Sequence, residues 1–165
     1  MISKENTQVL IITSNVKYIP EFDKDLVANS ITTRKKDFIK NLINNIKYHS
    51  NLKDFIITHD FKIDNKESCF YQNYLKNICF QEGIKLLTTP SSIKMPSQIS
   101  ATIAFKRGLE AVNKEYFLFW EHDHIFTKKL DWDLIKDCFN NGGKMLRFNR
   151  KKNKIVNEYF IQKGL

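Results

Sequence analysis

Long apolar runs and an even set of cysteines are what this sequence lacks, and its opening residues predict no secretory leader. Its longest apolar runs are four or five residues, far short of the ~20 needed to cross a bilayer. The opening Met1-Ile2-Ser3-Lys4-Glu5-Asn6 has no apolar core of the kind a signal peptide needs. Cysteine is scarce and odd in number: Cys69, Cys79 and Cys138. All three sit on otherwise apolar faces, so they read as buried free thiols in a reducing compartment, not as a disulfide or zinc framework. A cytoplasmic location is the expectation. No internal repeat, low-complexity segment or linker interrupts the chain, and no Gly-rich or aromatic RNA-binding signature occurs.

What is present is one domain's worth of chain, residues 1–165, long enough to bury a core. A hydrophobic content of 42% and an aromatic content of 13% separate it from disordered chains. The net charge is +9, which raises the question of a nucleic-acid partner. Lysine, asparagine and isoleucine are abundant together, as biased coding composition would also produce, and the lysines are spread out. The dense clusters are Arg34-Lys35-Lys36 and Arg147 to Lys154. Runs of this kind are usually solvated faces. They suit an acidic ligand or peripheral contact with an anionic membrane surface, and no nucleic-acid partner is expected.

Strand and helix patterns alternate along the chain. Val9-Leu10-Ile11-Ile12-Thr13 is a β-branched strand ending in the turn Ser14-Asn15, followed by a loop from Val16 to about Ser30. A loop of that length is functional or mobile more often than it is a plain connection. Thr32 or Thr33 is the expected cap of a helix with Phe38, Leu42 and Ile46 on one stripe, thickened by Ile39 and Ile43, and its lysines and asparagines opposite. Asp54 to Asp60 is the second strand. Ser68 is expected to begin a helix burying Phe70, Tyr71, Tyr74, Leu75, Ile78 and Cys79, with Gly83 in the terminating position. Ile84 to Thr88 is the third strand, closed by Pro90. Ser97 or Ser100 then caps a helix carrying Ile99, Ile103, Leu109 and Val112. Asp131 or Asp133 starts a helix with Leu134, Ile135, Cys138 and Phe139, which the pair Gly142-Gly143 breaks before a strand at Lys144 to Phe148. The tail from Lys154 to Leu165 is too apolar to be free and is expected to add a strand or a short helix. It stops without a capping signal, so a chain truncated at its C-terminus is part of the expectation. Such alternation predicts right-handed βαβ units in an α/β fold with three αβα layers and a mainly parallel sheet.

The pattern centres on Tyr116-Phe117-Leu118-Phe119-Trp120, an unbroken apolar run that stops at Glu121-His122-Asp123-His124. An apolar run of this length suits a strand buried on both faces. Alternation places Glu121 and Asp123 on one side and His122 and His124 on the other. Ligands bind at the carboxyl ends of strands in open α/β sheets. Two carboxylates there suit a hard cation, Mg or Mn, carrying phosphate oxygens. His-x-His on one strand supplies too few ligands for a zinc site by itself.

The segment from Ala104 to Asp123 resembles the family-2 glycosyltransferases of the GT-A fold. In that family a helix with Ala-Arg-Asn-x-Gly leads through a Gly-Glu-Tyr-like turn into an apolar strand ending in Asp-x-Asp. Here the same register reads Ala104-Phe105-Lys106-Arg107-Gly108, then Lys114-Glu115-Tyr116, then Phe117 to Trp120 and Glu121-His122-Asp123. The motif covers about twenty residues, while the order of elements fits over most of the chain. The resemblance implies a transferase that binds a nucleotide-diphosphate sugar with a divalent cation, Mn or Mg, and passes the sugar to a carbohydrate or glycan acceptor. It implies that Asp123 contacts the metal and Glu121 the metal or ribose, that Thr13, Ser14 and Asn15 form the turn cradling the nucleotide, and that Asp60 reads base or ribose. Phe105-Lys106 stands where the family has Arg-Asn, leaving Arg107 to supply the positive charge. Material for an acceptor pocket is short, Glu158 being the only carboxylate beyond Asp137. The chain alone is therefore expected to bind donor and to transfer sugar weakly or not at all. The rival expectations are a non-catalytic GT-A-like module and a nucleotidyltransferase; the latter wants a Gly-rich loop after the first strand, and Thr13 to Lys17 has no glycine.

Overall fold

The computed structural model describes residues 1–14, 31–92, 94–121, 126–147 and 159–163. Within them the order is β1 (Thr7–Ser14), α1 (Ile31–Ser50), β2 (Phe55–Lys62), α2 (Lys66–Gln81), β3 (Lys85–Ser91), α3 (Ser97–Ala111), β4 (Tyr116–Glu121), α4 (Trp132–Asn140), β5 (Met145–Arg147) and β6 (Tyr159–Gln162). The strands form one sheet in the order β3-β2-β1-β4-β6-β5. The first four strands run parallel, and β6 pairs antiparallel with both β4 and β5. The chain thus has the mainly parallel αβα fold that its alternating pattern predicts, with Phe117 to Trp120 in an interior strand.

Two cores follow from this winding. Val9, Ile11, Ile57, Leu118 and Trp120 meet Ile39, Leu42 and Ile46 of α1, Tyr71 and Leu75 of α2, and Ile135 and Phe139 of α4. On the other face Leu10, Ile56 and Phe117 pack with Phe105, Leu109 and Val112 at α3. The connections through α1 and α2 carry the chain outward from β1 to β3, and the one through α3 brings it back to the far side of β1. The winding direction therefore reverses between β1 and β4, which is where a doubly wound sheet opens a crevice at its carboxyl end.

Several local expectations are corrected. Helix α1 begins at Ile31, ahead of Thr32 and Thr33. Asn65 caps α2, its side chain accepting from the Ser68 amide, while the Ser68 hydroxyl turns inward and accepts from the Lys62 amide at 2.8 Å. Phe70 is exposed, as are Ile99, Ile103 and Leu134. The face of α3 that meets the sheet is instead Ser100, Ala104 and Gly108, all buried. Small residues win there because the helix lies so close: a Cβ on Gly108 would sit 2.6 Å from Leu10 Cδ1 and 3.0 Å from Thr58 Cγ2. Leu10 is fully buried and Thr58 is β-branched, so neither yields easily. Gly108→Val is expected to destabilise the fold by about 1–3 kcal/mol, read as a lower urea midpoint at unchanged slope.

Pro90 lies inside β3 instead of ending it. Strand β3 is the edge of the sheet, and the Ser91 carbonyl points inward to the Ile63 amide. The neighbouring backbone position, at Pro90, then faces the open edge, where no ladder amide is missed. Gly83 ends α2 as expected, with φ +64° just past the cap at Glu82. Of the thiols only Cys79 is buried, and burial pushes its pKa up to about 12; Cys69 and Cys138 are half-buried. Among the described residues no helix is long and apolar enough to cross a membrane.

Candidate functional site

The carboxyl ends of β1, β2 and β4 bring together three of the residues singled out by sequence. The register sets Ser14 opposite Asp60, and Ile12 opposite both Thr58 and Glu121. Glu121 ends β4 half-buried. Ser14 and Glu121 therefore terminate the two strands that border the winding reversal. Asn15 and Asp123 lie outside the described residues, as do the histidines flanking Asp123, the loop after Asn15 and most of the basic cluster from Arg147 to Lys154.

Thr13 points to the opposite face of the sheet from Leu10 and Ile56. It is buried, and its Oγ1 lies 2.8 Å from His59 Nδ1 in a hydrogen bond. The His59 ring meets Tyr71 edge-on at 5.2 Å. Burial raises the Tyr71 hydroxyl pKa well above its ordinary value, only partly countered by a hydrogen bond with Thr13. Thr13 thus belongs to a polar cluster beneath α2 and not to the crevice.

Asp60 ends the ladder of β2 with β1, while β2 runs on to Lys62 against β3; it is 1% exposed and its oxygens are engaged. Ser91 Oγ donates to Oδ1 at 2.6 Å and Ser100 Oγ donates to Oδ2 at 2.8 Å. Lys62 Nζ lies 2.9 Å from Oδ2 and donates to the same two hydroxyls at 2.8 and 3.1 Å. Each serine therefore gives its proton to the carboxylate and takes one from the ammonium. Burial pushes the Asp60 carboxyl up, but hydrogen bonds from Ser91, Lys62 and Ser100, with the Lys62 charge, outweigh it and hold the pKa below the ordinary value. This ring joins β2, β3 and α3 into one unit. Sequence reasoning missed Lys62, Ser91 and Ser100; the one local signal was the i, i+2 spacing of Asp60 and Lys62, which shares a strand face.

Arg107 is not brought to the crevice. Its guanidinium donates to the Thr88 carbonyl on the edge strand. It lies seven helix residues beyond Ser100, about 10 Å along the axis.

No three His, Cys, Asp or Glu residues come together as a metal cage among the described residues. Glu121 is the described carboxylate at the crevice, and carboxylate oxygen is a donor that suits a hard cation. A cation there would be held by few protein oxygens and completed by those of a ligand.

No protein-family model matches the chain, and no curated protein matches it by sequence. Solved structures do match. The crystal structure of S. aureus TarS 1-349 superposes with a TM-score of 0.54 over 92% of this chain, at 14% identity. A second crystal structure of S. aureus TarS gives 0.56 over the same share, at 12% identity. The likeness is one of fold, a glycosyltransferase-like αβα arrangement. The chain spans 38% and 23% of the length of those two structures.

Proposed function

We propose that this chain is the donor-binding unit of a glycosyltransferase, holding a nucleotide-diphosphate sugar with Mn or Mg at the crevice between β1 and β4. The observation that carries the reading is the placement of Glu121 and Ser14 at the two strand ends bordering the winding reversal, in a glycosyltransferase-like fold. Glu121, with Asp123 two residues on, would hold the cation. The turn at Ser14 and Asn15 would take the nucleotide. A bound divalent cation stabilises the charge that develops on a diphosphate leaving group as the sugar bond breaks. The acceptor is a carbohydrate or glycan, and basic clusters at a membrane surface remain part of the proposal.

Thermal denaturation with a panel of uridine-, guanosine- and cytidine-nucleotide sugars, with and without Mn²⁺, tests the reading. A ligand at a hundredfold excess over its Kd stabilises the native state by about 2.7 kcal/mol. For a chain of this size that raises Tm by about 5–10 °C. The shift is expected with one nucleotide class and only when Mn²⁺ or Mg²⁺ is present; a flat response across the panel refutes the proposal.

A second reading, a GT-A-like module that binds without turnover, draws on one observation. Asp60, assigned to the donor by resemblance, is committed to buried partners. Product formation from radiolabelled nucleotide sugars with a panel of acceptors separates the two readings.

A further inference from the structure

The face of β2 and β3 beneath α3 carries more hydroxyl than its ion pair uses. Thr58 is fully buried and Thr89 is 6% exposed, and among the described residues neither Oγ1 has a hydrogen-bond partner. A buried hydroxyl left unpaired is costly, and such atoms are rare in native folds. Both side chains lie on the α3 face. Thr58 Cγ2 is 3.0 Å from where a Cβ on Gly108 would sit. Thr89 comes two residues before Ser91, whose hydroxyl belongs to the Asp60 ring, and alternation gives the two one face. The register sets Thr89 directly beside Asp60, and Thr58 stands two residues ahead of Asp60 on β2. Thr58, Thr89 and Asp60 therefore converge beneath the stretch of α3 from Ser100 to Gly108. Between those two the residue facing the sheet is Ala104, fully buried and with only a methyl side chain.

We infer that this seam is a binding site for one water molecule, shared by Thr58 Oγ1, Thr89 Oγ1 and Asp60 Oδ1. The balance of donors and acceptors selects water. Asp60 Oδ1 accepts from Ser91, while Oδ2 accepts from Ser100 and lies against the Lys62 ammonium. A carboxylate has about four lone-pair sites over its two oxygens, so Oδ1 keeps one acceptor position. A water donates into it, accepts from one threonine hydroxyl, and donates to or accepts from the other. That makes about the three hydrogen bonds typical of a buried water. A cation is disfavoured beside Lys62 and an anion beside Asp60, which leaves a small neutral molecule that both donates and accepts. The inference does not depend on the donor-binding reading, but it bears on the crevice. Asp60 is the carboxylate that resemblance assigns to base or ribose, and its last acceptor position is then filled from inside the fold.

The experiment joins a crystal structure of the wild-type chain, at a resolution that shows ordered solvent, to thermal denaturation of wild type, Thr58→Val, Thr89→Val and the double variant. The expected density is one water within about 2.7–3.2 Å of both Oγ1 atoms and of Asp60 Oδ1. Valine keeps the shape of threonine and removes the hydroxyl, so the sign of its effect is diagnostic. Where the hydroxyls serve a shared water, each single variant should lower Tm by about 2–6 °C. The double variant should then lose clearly less than the two singles together, because the same water is lost only once. Where the hydroxyls serve nothing, valine removes an unpaired polar atom, and Tm should rise or stay level. That outcome overturns the inference, as does a seam without solvent density. Additive losses in the double variant overturn it too, since each hydroxyl would then have a partner of its own. The wild-type density decides by itself if a valine variant does not fold.

Discussion

Lys62→Met is expected to destabilise the fold by about 3–5 kcal/mol, the range found when one partner of a buried ion pair is removed. Asp60 would be left 1% exposed with its two serine donors but without the ammonium those serines also serve. Replacing both members, as in Asp60→Asn with Lys62→Met, should recover a substantial part of the loss, because no uncompensated charge then remains. The pH dependence separates this account from a packing effect. In the wild type the folded-state pKa of Asp60 lies below its unfolded value of about 3.9. Its stabilisation is therefore present above about pH 4 and is lost as pH falls through the folded pKa. Without Lys62, burial has the larger share and is expected to lift the folded pKa above the unfolded one. The sign then reverses, and the single variant should gain stability relative to wild type as pH drops from 7 towards 4. Urea denaturation across that range measures both. A loss below about 1 kcal/mol with parallel pH profiles would mean that water reaches the pair and screens it.

The same cluster marks where the sequence stops being legible. Strand and helix alternation, the interior position of Phe117 to Trp120 and the stripe of Ile39, Leu42, Ile43 and Ile46 all follow from periodicity, because burial on one face leaves a repeating mark. Periodicity misled at α3. Ile99 and Ile103 have the spacing of a buried face, yet they are exposed. The helix is drawn down instead on Ser100, Ala104 and Gly108, and the reason lies in Leu10, about a hundred residues away in sequence, and Thr58, about fifty away. Close approach selects small side chains, which hydrophobic patterning scores as neutral. Asp60 was found for its place at a strand end, but its partners come from β2, β3 and α3 and share no local pattern. Resemblance to a family assigned roles to Thr13, Ser14, Asn15, Asp60 and the acidic motif. It could not say that Arg107 turns to the Thr88 carbonyl, because a long side chain goes to whichever acceptor the local geometry offers.

Asp123→Ala is expected to abolish the Mn²⁺-dependent part of nucleotide binding while leaving the fold close to wild-type stability. The expectation combines two features. Asp123 follows Glu121 by two residues in sequence, and the place of Glu121 at the end of β4 borders the winding reversal. The paired registers of β4 with β1 and β6 run from Tyr116 to Glu121 and from Tyr116 to Phe119, so the substitution removes no side chain from either ladder. On the proposed reading Glu121 and Asp123 would supply two carboxylates, so the cation would draw its remaining oxygens from the diphosphate. Metal and nucleotide should therefore bind together or not at all: each raises the other's affinity by the same factor. Removing Asp123 should cost more than the about 10–100-fold that supporting residues carry. Glu121→Gln, which keeps an oxygen ligand and loses its charge, should cost less. Calorimetric titration of nucleotide against each variant, at fixed Mn²⁺ and without it, gives the coupling directly. If Asp123→Ala unfolds while the wild type shows no response to metal, the acid is structural, and the cation site does not lie at the end of β4.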